Sequence, residues 1–173
     1  MNTHLVLAVI GKDRPGLVNA VSETVTAGGG NWLDTRMARL AGQFAGILLV
    51  DVPAEKADAL VAALKKLEAQ GLRLIIEKES GAPAASGPTL KLDLVGLDRP
   101  GIIRDLSRLL AAQQVSIFEL ETERVVASFS GEAMFKATAL LQIPEGLSVD
   151  QLRTAIESLA NELMVDLSLE GPQ

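Results

Sequence analysis

The set of residues available for chemistry is narrow. The chain has one histidine, His4, and neither cysteine nor tyrosine. Disulfides, thiolate metal sites and cysteine nucleophiles are excluded. Ser22, Ser107 and Ser158 fall in helical stretches with no histidine repeated beside them, so a nucleophile–base pair is not visible. A metal centre would have to use oxygen ligands alone, and no acidic spacing supports one. Gly11-Lys12 does not continue into a Gly-x-x-x-x-Gly-Lys-Ser/Thr phosphate loop. Gly28-Gly29-Gly30 follows a helix instead of opening one, which makes it a poor phosphate cradle.

One pattern stands out. Gly11-Lys12-Asp13-Arg14-Pro15-Gly16-Leu17 returns 85 residues later as Gly96-Leu97-Asp98-Arg99-Pro100-Gly101-Ile102. Both copies lie between a strand and a helix. Pro15 and Pro100 suit the first helical position. Arg14 and Arg99, each before a proline, should stay extended. Gly16 and Gly101 add no Cβ in the first turn, where backbone amides lack helical partners and sit at the positive end. A ligand carboxylate could approach there. Asp13 or Asp98 could hold an ammonium group, and Asn31 or Ser116, opening the next strand, could add an amide or hydroxyl. Together these groups would suit a small α-amino acid. The plainer alternative is that the aspartates cap the helices and Pro-Gly only shapes their entry. The copies differ at Lys12/Leu97, Asn31/Ser116 and Gly29-Gly30/Gln114-Val115.

The elements around these turns also repeat. Leu5, Leu7 and Val9 correspond to Leu90, Leu92 and Leu94, with the period of two of a strand buried on one face. Leu17, Val21 and Val25 correspond to Ile102, Leu106 and Leu110, with helical spacing. A hairpin follows. In the first copy it runs out over Asn31–Leu40, turns at Ala41-Gly42 and returns over 44–52. In the second copy it starts at Ser116 and ends at Ile143. Pro53 matches Pro144, which makes the second hairpin six residues longer, with the addition expected at 126–131. A second helix (Leu60, Leu64, Leu67; Leu152, Ile156, Leu159, Leu163) and a last strand (Leu72–Glu77; Met164–Leu169) close each copy. Small residues with Gly and Pro at 80–88 read as a linker.

Each copy is thus strand, helix, strand, strand, helix, strand. The expected fold is α+β: two ferredoxin-like βαββαβ modules, each an antiparallel four-stranded sheet with both helices on one face. The modules span 1–79 and 89–173. The uncovered face of the first carries Val6, Ala8 and Ile10, and we expect that face or a sheet edge to be covered by the other unit or another chain.

Composition limits the partners. Apolar residues make up 48% of the 173, enough for packed cores. Residues 1–80 are charge-neutral, and the net −6 falls entirely in 81–173. Without a basic stripe, direct nucleic-acid binding is disfavoured. The N-terminal apolar run is too short for a signal peptide or membrane span. A cytoplasmic protein is the expectation.

Asp-Arg-Pro-Gly-Leu/Ile, the amphipathic helix after it, and Asn31 or Ser116 at the next strand resemble the ACT domain, a βαββαβ regulatory module. The resemblance implies binding of an amino acid such as glycine, usually where two modules meet, and no catalysis or other cofactor. Its ligand group would be Asp13, Arg14, Gly16, Leu17 and Asn31, with Asp98, Arg99, Gly101, Ile102 and Ser116 in the second copy. Leu17 and Ile102 would contribute backbone amides. Arg14 and Arg99 could instead pair with carboxylates such as Asp34 or Glu119. A pair of modules with a longer second hairpin is similar to the glycine cleavage repressor family. That likeness implies repression through a LysR-type activator and not DNA, with release when glycine is plentiful. The extra hairpin around Phe129 would be a candidate partner surface. An amino-acid sensor serving another metabolic or signalling partner, or a homodimer, would share every one of these features.

Overall fold

The structure, a computed structural model, describes residues 1–79 and 87–171. These residues form two compact units, one on each side of the undescribed stretch 80–86. The linker expected at 80–88 therefore lies outside the described residues except for its last two.

The first unit runs β1 (Asn2–Lys12), α1 (Leu17–Ala27), β2 (Asn31–Leu40), β3 (Gln43–Pro53), α2 (Ala57–Lys65) and β4 (Leu72–Lys78). The second runs β5 (Thr89–Leu97), α3 (Ile102–Ala112), β6 (Ser116–Val126), β7 (Ala133–Gln142), α4 (Val149–Leu163) and β8 (Val165–Glu170). Strand order is β2-β3-β1-β4 in one sheet and β6-β7-β5-β8 in the other. Every neighbouring pair is antiparallel. This is the expected α+β arrangement, twice.

Alternation decides the cores. On β1, Leu5, Leu7 and Val9 are buried, and they pack with Leu17, Val21 and Val25 of α1 and Leu60 and Leu64 of α2. On β5, Leu92 and Leu94 do the same with Ile102, Leu106 and Leu110 of α3 and Leu152 and Ile156 of α4. Truncating any of these leucines to alanine would cost about 2–5 kcal/mol. A single-turn 3₁₀ segment, Lys66–Gln70, tightens the end of α2 and brings Leu67 into the core.

Two local details depart from expectation. Met164 is not the first residue of β8. It caps α4 in the left-handed region (φ 51°), with its side chain exposed, so the strand begins at Val165. Both β2 and β6 also carry a bulge at equivalent places, between Trp32 and Asp34 and between Ile117 and Glu119. The bulges turn Leu33 and Phe118 outward, and both are about half exposed. The six extra residues of the second hairpin lie at its tip: the ladder gains one pair, Val126 with Ala133, and the loop 127–132 is four residues longer than Ala41-Gly42.

Candidate functional site

The repeated segment folds as a turn before the helix. Gly16 has φ 90°, ψ −1° and Gly101 has φ 100°, ψ −4°. Those angles belong to the third residue of a type II turn, whose second position favours proline. Pro15 and Pro100 therefore do not open the helices, as their position had suggested. The helices start at Leu17 and Ile102, with the left-handed glycines as N-caps. The first helical bonds are Ala20 N–H to the Gly16 carbonyl and Asp105 N–H to the Gly101 carbonyl, both 2.9 Å. Leu17 and Ile102 are buried and anchor each turn in the core.

The aspartates do not cap these helices, since neither N-terminus receives a side-chain hydrogen bond. By contrast, α4 begins with a complete capping box, Ser148 with Gln151. Asp13 instead accepts a hydrogen bond from Arg39 Nη1 at 3.1 Å, and Asp98 accepts one from Arg124 Nε at 2.6 Å. In both units the arginine lies 26 residues after its aspartate. The backbone doubles the link: Asp13 N–H donates to the Gly42 carbonyl at 3.0 Å, and Asp98 N–H to the Ala133 carbonyl at 2.8 Å. Each turn is thus clasped to the tip of the following hairpin. Arg39 and Arg124 were not among the sequence candidates, although the 85-residue offset that relates the aspartates relates them too.

This clasp is a holding device more than a stability device. The arginines are largely exposed, and an exposed pair is worth about 1 kcal/mol or less. We expect Arg39→Ala and Arg124→Ala to shift the melting temperature little but to accelerate amide hydrogen exchange at Asp13 and Asp98 severalfold. Exchange unchanged at both amides would show that the backbone bonds alone hold the turn.

The other arginines go elsewhere. Arg14 donates to the Gln70 carbonyl at 2.9 Å and does not meet Asp34. Asp34 is bonded by Arg36 at 2.6 Å, and that hydrogen bond holds its carboxyl below the usual carboxylate range. Arg99 is half-buried, and its charge bears on Asp105. The Asp105 carboxyl is lowered first by its hydrogen bond to Arg104, with Arg108 and Arg99 adding to the positive field.

The two turns are not equivalent. A Cβ on Gly101 would come within 2.9 Å of Arg104 Nη2, whereas one on Gly16 would meet nothing within 4 Å. The residue matching Arg104 in the first unit is Asn19, which bonds Glu23. The second turn therefore carries a guanidinium over its glycine. Beside the first turn, a cleft of about 470 Å³ opens between Lys12, Gln43, Gly71 and Arg73.

Asn31 and Ser116 lie at the far end of their sheets. Asn31 is opposite Asp51, which is opposite His4 near the start of β1. Asp13 follows Lys12 at the other end of that strand, about 30 Å away at the rise of an extended chain. Ser116 is likewise opposite Gln142, itself opposite Thr89, whereas Asp98 follows Leu97. Each unit thus brings together Asp13, Arg14, Gly16 and Leu17, or Asp98, Arg99, Gly101 and Ile102. It does not bring Asn31 or Ser116 to them. His4 joins the Asn31 end, 2.7 Å from Glu79 and 3.6 Å from Asp51. Among the described residues no group of three His, Asp or Glu side chains could hold a metal ion. No helix among them is long and apolar enough to cross a membrane.

Residues 3–77 match the sequence model of the ACT domain. A UPF0237 protein of Methanocaldococcus jannaschii is 34% identical over 82 residues, covering 44% of this chain and 89% of that protein. The first unit of this chain belongs to the ACT-domain family. The first ACT module thus matches at the sequence level, and the second has the same element order, register pattern and clasp. The glycine cleavage system transcriptional repressor of Escherichia coli is 26% identical over 164 residues, covering 92% of this chain and 85% of that protein. A crystal structure of an unknown protein from Galdieria sulphuraria superposes with a TM-score of 0.88 at 29% identity, covering all of both chains. The likeness to these two proteins therefore runs through both units.

Proposed function

We propose that this chain is an amino-acid-responsive regulator, with no reaction of its own, that represses glycine cleavage genes by binding a LysR-type activator and not DNA. The observation that carries this reading is the similarity to the Escherichia coli repressor, which runs through both ACT modules. Charge supports a protein partner: the net charge is −6, and Arg36, Arg39, Arg104 and Arg124 are tied to carboxylates of their own unit.

The clasped turns suggest how a ligand acts. An α-amino acid carries an ammonium and a carboxylate, and Asp13 with Arg39, or Asp98 with Arg124, presents the complementary pair. The carboxylate would also meet the amides that open α1 or α3. Ligand binding then exchanges the clasp for ligand contacts and changes the hold on the hairpin tip. Its effect is limited to its differential affinity for the two arrangements. In the second module that hairpin ends in the longer loop with the fully exposed Phe129, the candidate partner surface. Asn31 or Ser116 could join such a site only when presented by another ACT module.

Calorimetric titration with free amino acids, glycine and serine first, tests the sensor reading. Saturable heat is expected, together with capture of a LysR-type activator that weakens as the amino acid is added. No heat with any amino acid would sink the reading. Amino-acid binding without such capture would support a sensor with a different protein partner. Tight, sequence-specific DNA binding by the pure protein would overturn the partner assignment.

A further inference from the structure

The corner of the first sheet beside Gly71 has a composition that the fold does not require. Lys12, Gln43 and Arg73 project from the open face there, on the side away from α1 and α2. With Ile10, Gly11 and Gly71 they line the cleft of about 470 Å³. Gln43 is directly opposite Lys12 on β3, and Arg73 is opposite Ile10 on β4. Lys12 and Arg73 are therefore diagonal neighbours, about 7–8 Å apart, and both long side chains can reach one anion. Neither cation has an ion pair or hydrogen bond among the described residues. The charged groups around them are already committed. Asp13 is held by Arg39, Arg14 donates to the Gln70 carbonyl, Arg36 is bonded to Asp34, and Glu68 accepts the Leu74 N–H at 3.4 Å. Glu77 lies on the same face four residues beyond Arg73, about 13 Å along β4. The second unit supplies an internal control. The same registers place Leu97 opposite Met134 and Asp166 opposite Val95. Two apolar side chains and a carboxylate thus stand where the first unit has Lys12, Gln43 and Arg73, and the fold is the same.

We propose that this cleft binds a small phosphomonoester with an apolar organic group. Two uncompensated cations call for a dianion, and a phosphate monoester carries about −1.5 to −2 charges at pH 7. The Arg73 guanidinium can grip two of its oxygens at once. The Lys12 ammonium adds a point charge and the Gln43 carboxamide a further donor. Gly71, at φ 87°, puts no side chain into the cleft, and the space where a Cβ would stand is open. The apolar part follows from what adjoins the head group. A second cleft, of about 670 Å³, shares Ile10 and Arg73 and continues over Ala8, Ile47 and Ile75. Ile47 and Ile75 are 54% and 64% exposed. An organic group there covers aliphatic surface that otherwise faces water. Either volume is ample for a ligand of this size. The cleft lies on the opposite face of the sheet from α1, and none of its donors belongs to the clasped turns. The site therefore stands or falls independently of the amino-acid reading.

Amide NMR shifts of the full chain titrated with n-butyl phosphate test it. Saturable shifts are expected at Lys12, Gln43, Gly71 and Arg73, with a dissociation constant on the order of 1 mM or lower. Inorganic phosphate lacks the apolar group and butyrate carries a single charge, so each should bind at least about threefold more weakly. Lys12→Leu and Arg73→Asp, which borrow the second unit's residues, should each weaken binding about tenfold or more. Arg73→Gln gives the same reading should Arg73→Asp fold poorly. Lys65→Leu, which removes an exposed charge from α2, should change nothing. No saturable shift at about 20 mM would overturn the proposal. So would inorganic phosphate or butyrate binding as tightly as butyl phosphate, or equal weakening by Lys65→Leu. Sedimentation of the chain with phosphatidic acid vesicles would overturn it too, by assigning the cations to a lipid surface.

Discussion

Gly46→Ala should be among the most damaging single-methyl additions possible in this protein. Gly46 sits in β3 between Val9 and Met37 on the core side of the first sheet. A Cβ there would collide with Met37 Cγ and the Arg36 carbonyl oxygen and lie 2.8 Å from Met37 Cα. The side-chain clash could be relieved by a rotamer change, but the two backbone contacts could be relieved only by opening the β2–β3 ladder. Overpacking of this kind costs about 2–4 kcal/mol, a large share of a small domain's stability. Because each unit has its own core, urea denaturation should show the first unit's transition moving to lower denaturant while the second's stays in place. The second unit shows how a methyl is accommodated there. Its equivalent pair is Ala137 opposite Thr122, where the first has Gly46 opposite Met37. Met37→Thr added to Gly46→Ala should therefore recover a substantial part of the loss. A Gly46→Ala protein within about 0.5 kcal/mol of the parent would refute the packing argument.

The Gly46 pair also shows why parts of this molecule were legible in its sequence. Period-two leucines on β1 and β5, three-four spacing in α1 and α3, and the matched prolines 53 and 144 each reflect one local rule. They placed the strands, the helices and the six-residue extension at the second hairpin's tip. The open aliphatic face was legible for the same reason, since Val6, Ala8 and Ile10 alternate with buried neighbours. What one copy of the sequence could not decide needed torsions or distances across the sheet. Arg-Pro-Gly fits either a helix start or a type II turn, and only the positive φ of Gly16 decides between them. Asn31 and Asp13 are close in a motif diagram but lie at opposite ends of β1, because α1 carries the chain back along the sheet. Arg39 and Arg124 were overlooked for a different reason. Their signal, a fixed spacing of 26 from each aspartate, was present in the repeat. It names a partner only once the hairpin is known to fold back beside the turn.

The largest functional effect is expected at the two turn glycines, where backbone shape and ligand approach can be separated. At Gly16 a Cβ has open space around it, so Gly16→Ala costs only the left-handed torsion, about 1 kcal/mol. Asparagine tolerates that region better, so Gly16→Asn should melt close to the parent. Were the glycine there for turn shape alone, Gly16→Asn would also bind amino acids normally. On the proposed reading it should not: its side chain would project into the space where a carboxylate approaches the amides of α1. A loss of about tenfold or more in the calorimetric affinity is expected while the melting temperature holds. Gly101→Asn should do more harm to binding than Gly16→Asn, because its Cβ must also push aside the Arg104 guanidinium 2.9 Å away. That guanidinium is the one cation that the second turn has over its glycine and the first lacks. Normal binding by both asparagine variants would reduce the repeated Asp-Arg-Pro-Gly to a folding signal, and the amino-acid site would have to be sought at the Asn31 and Ser116 ends of the sheets.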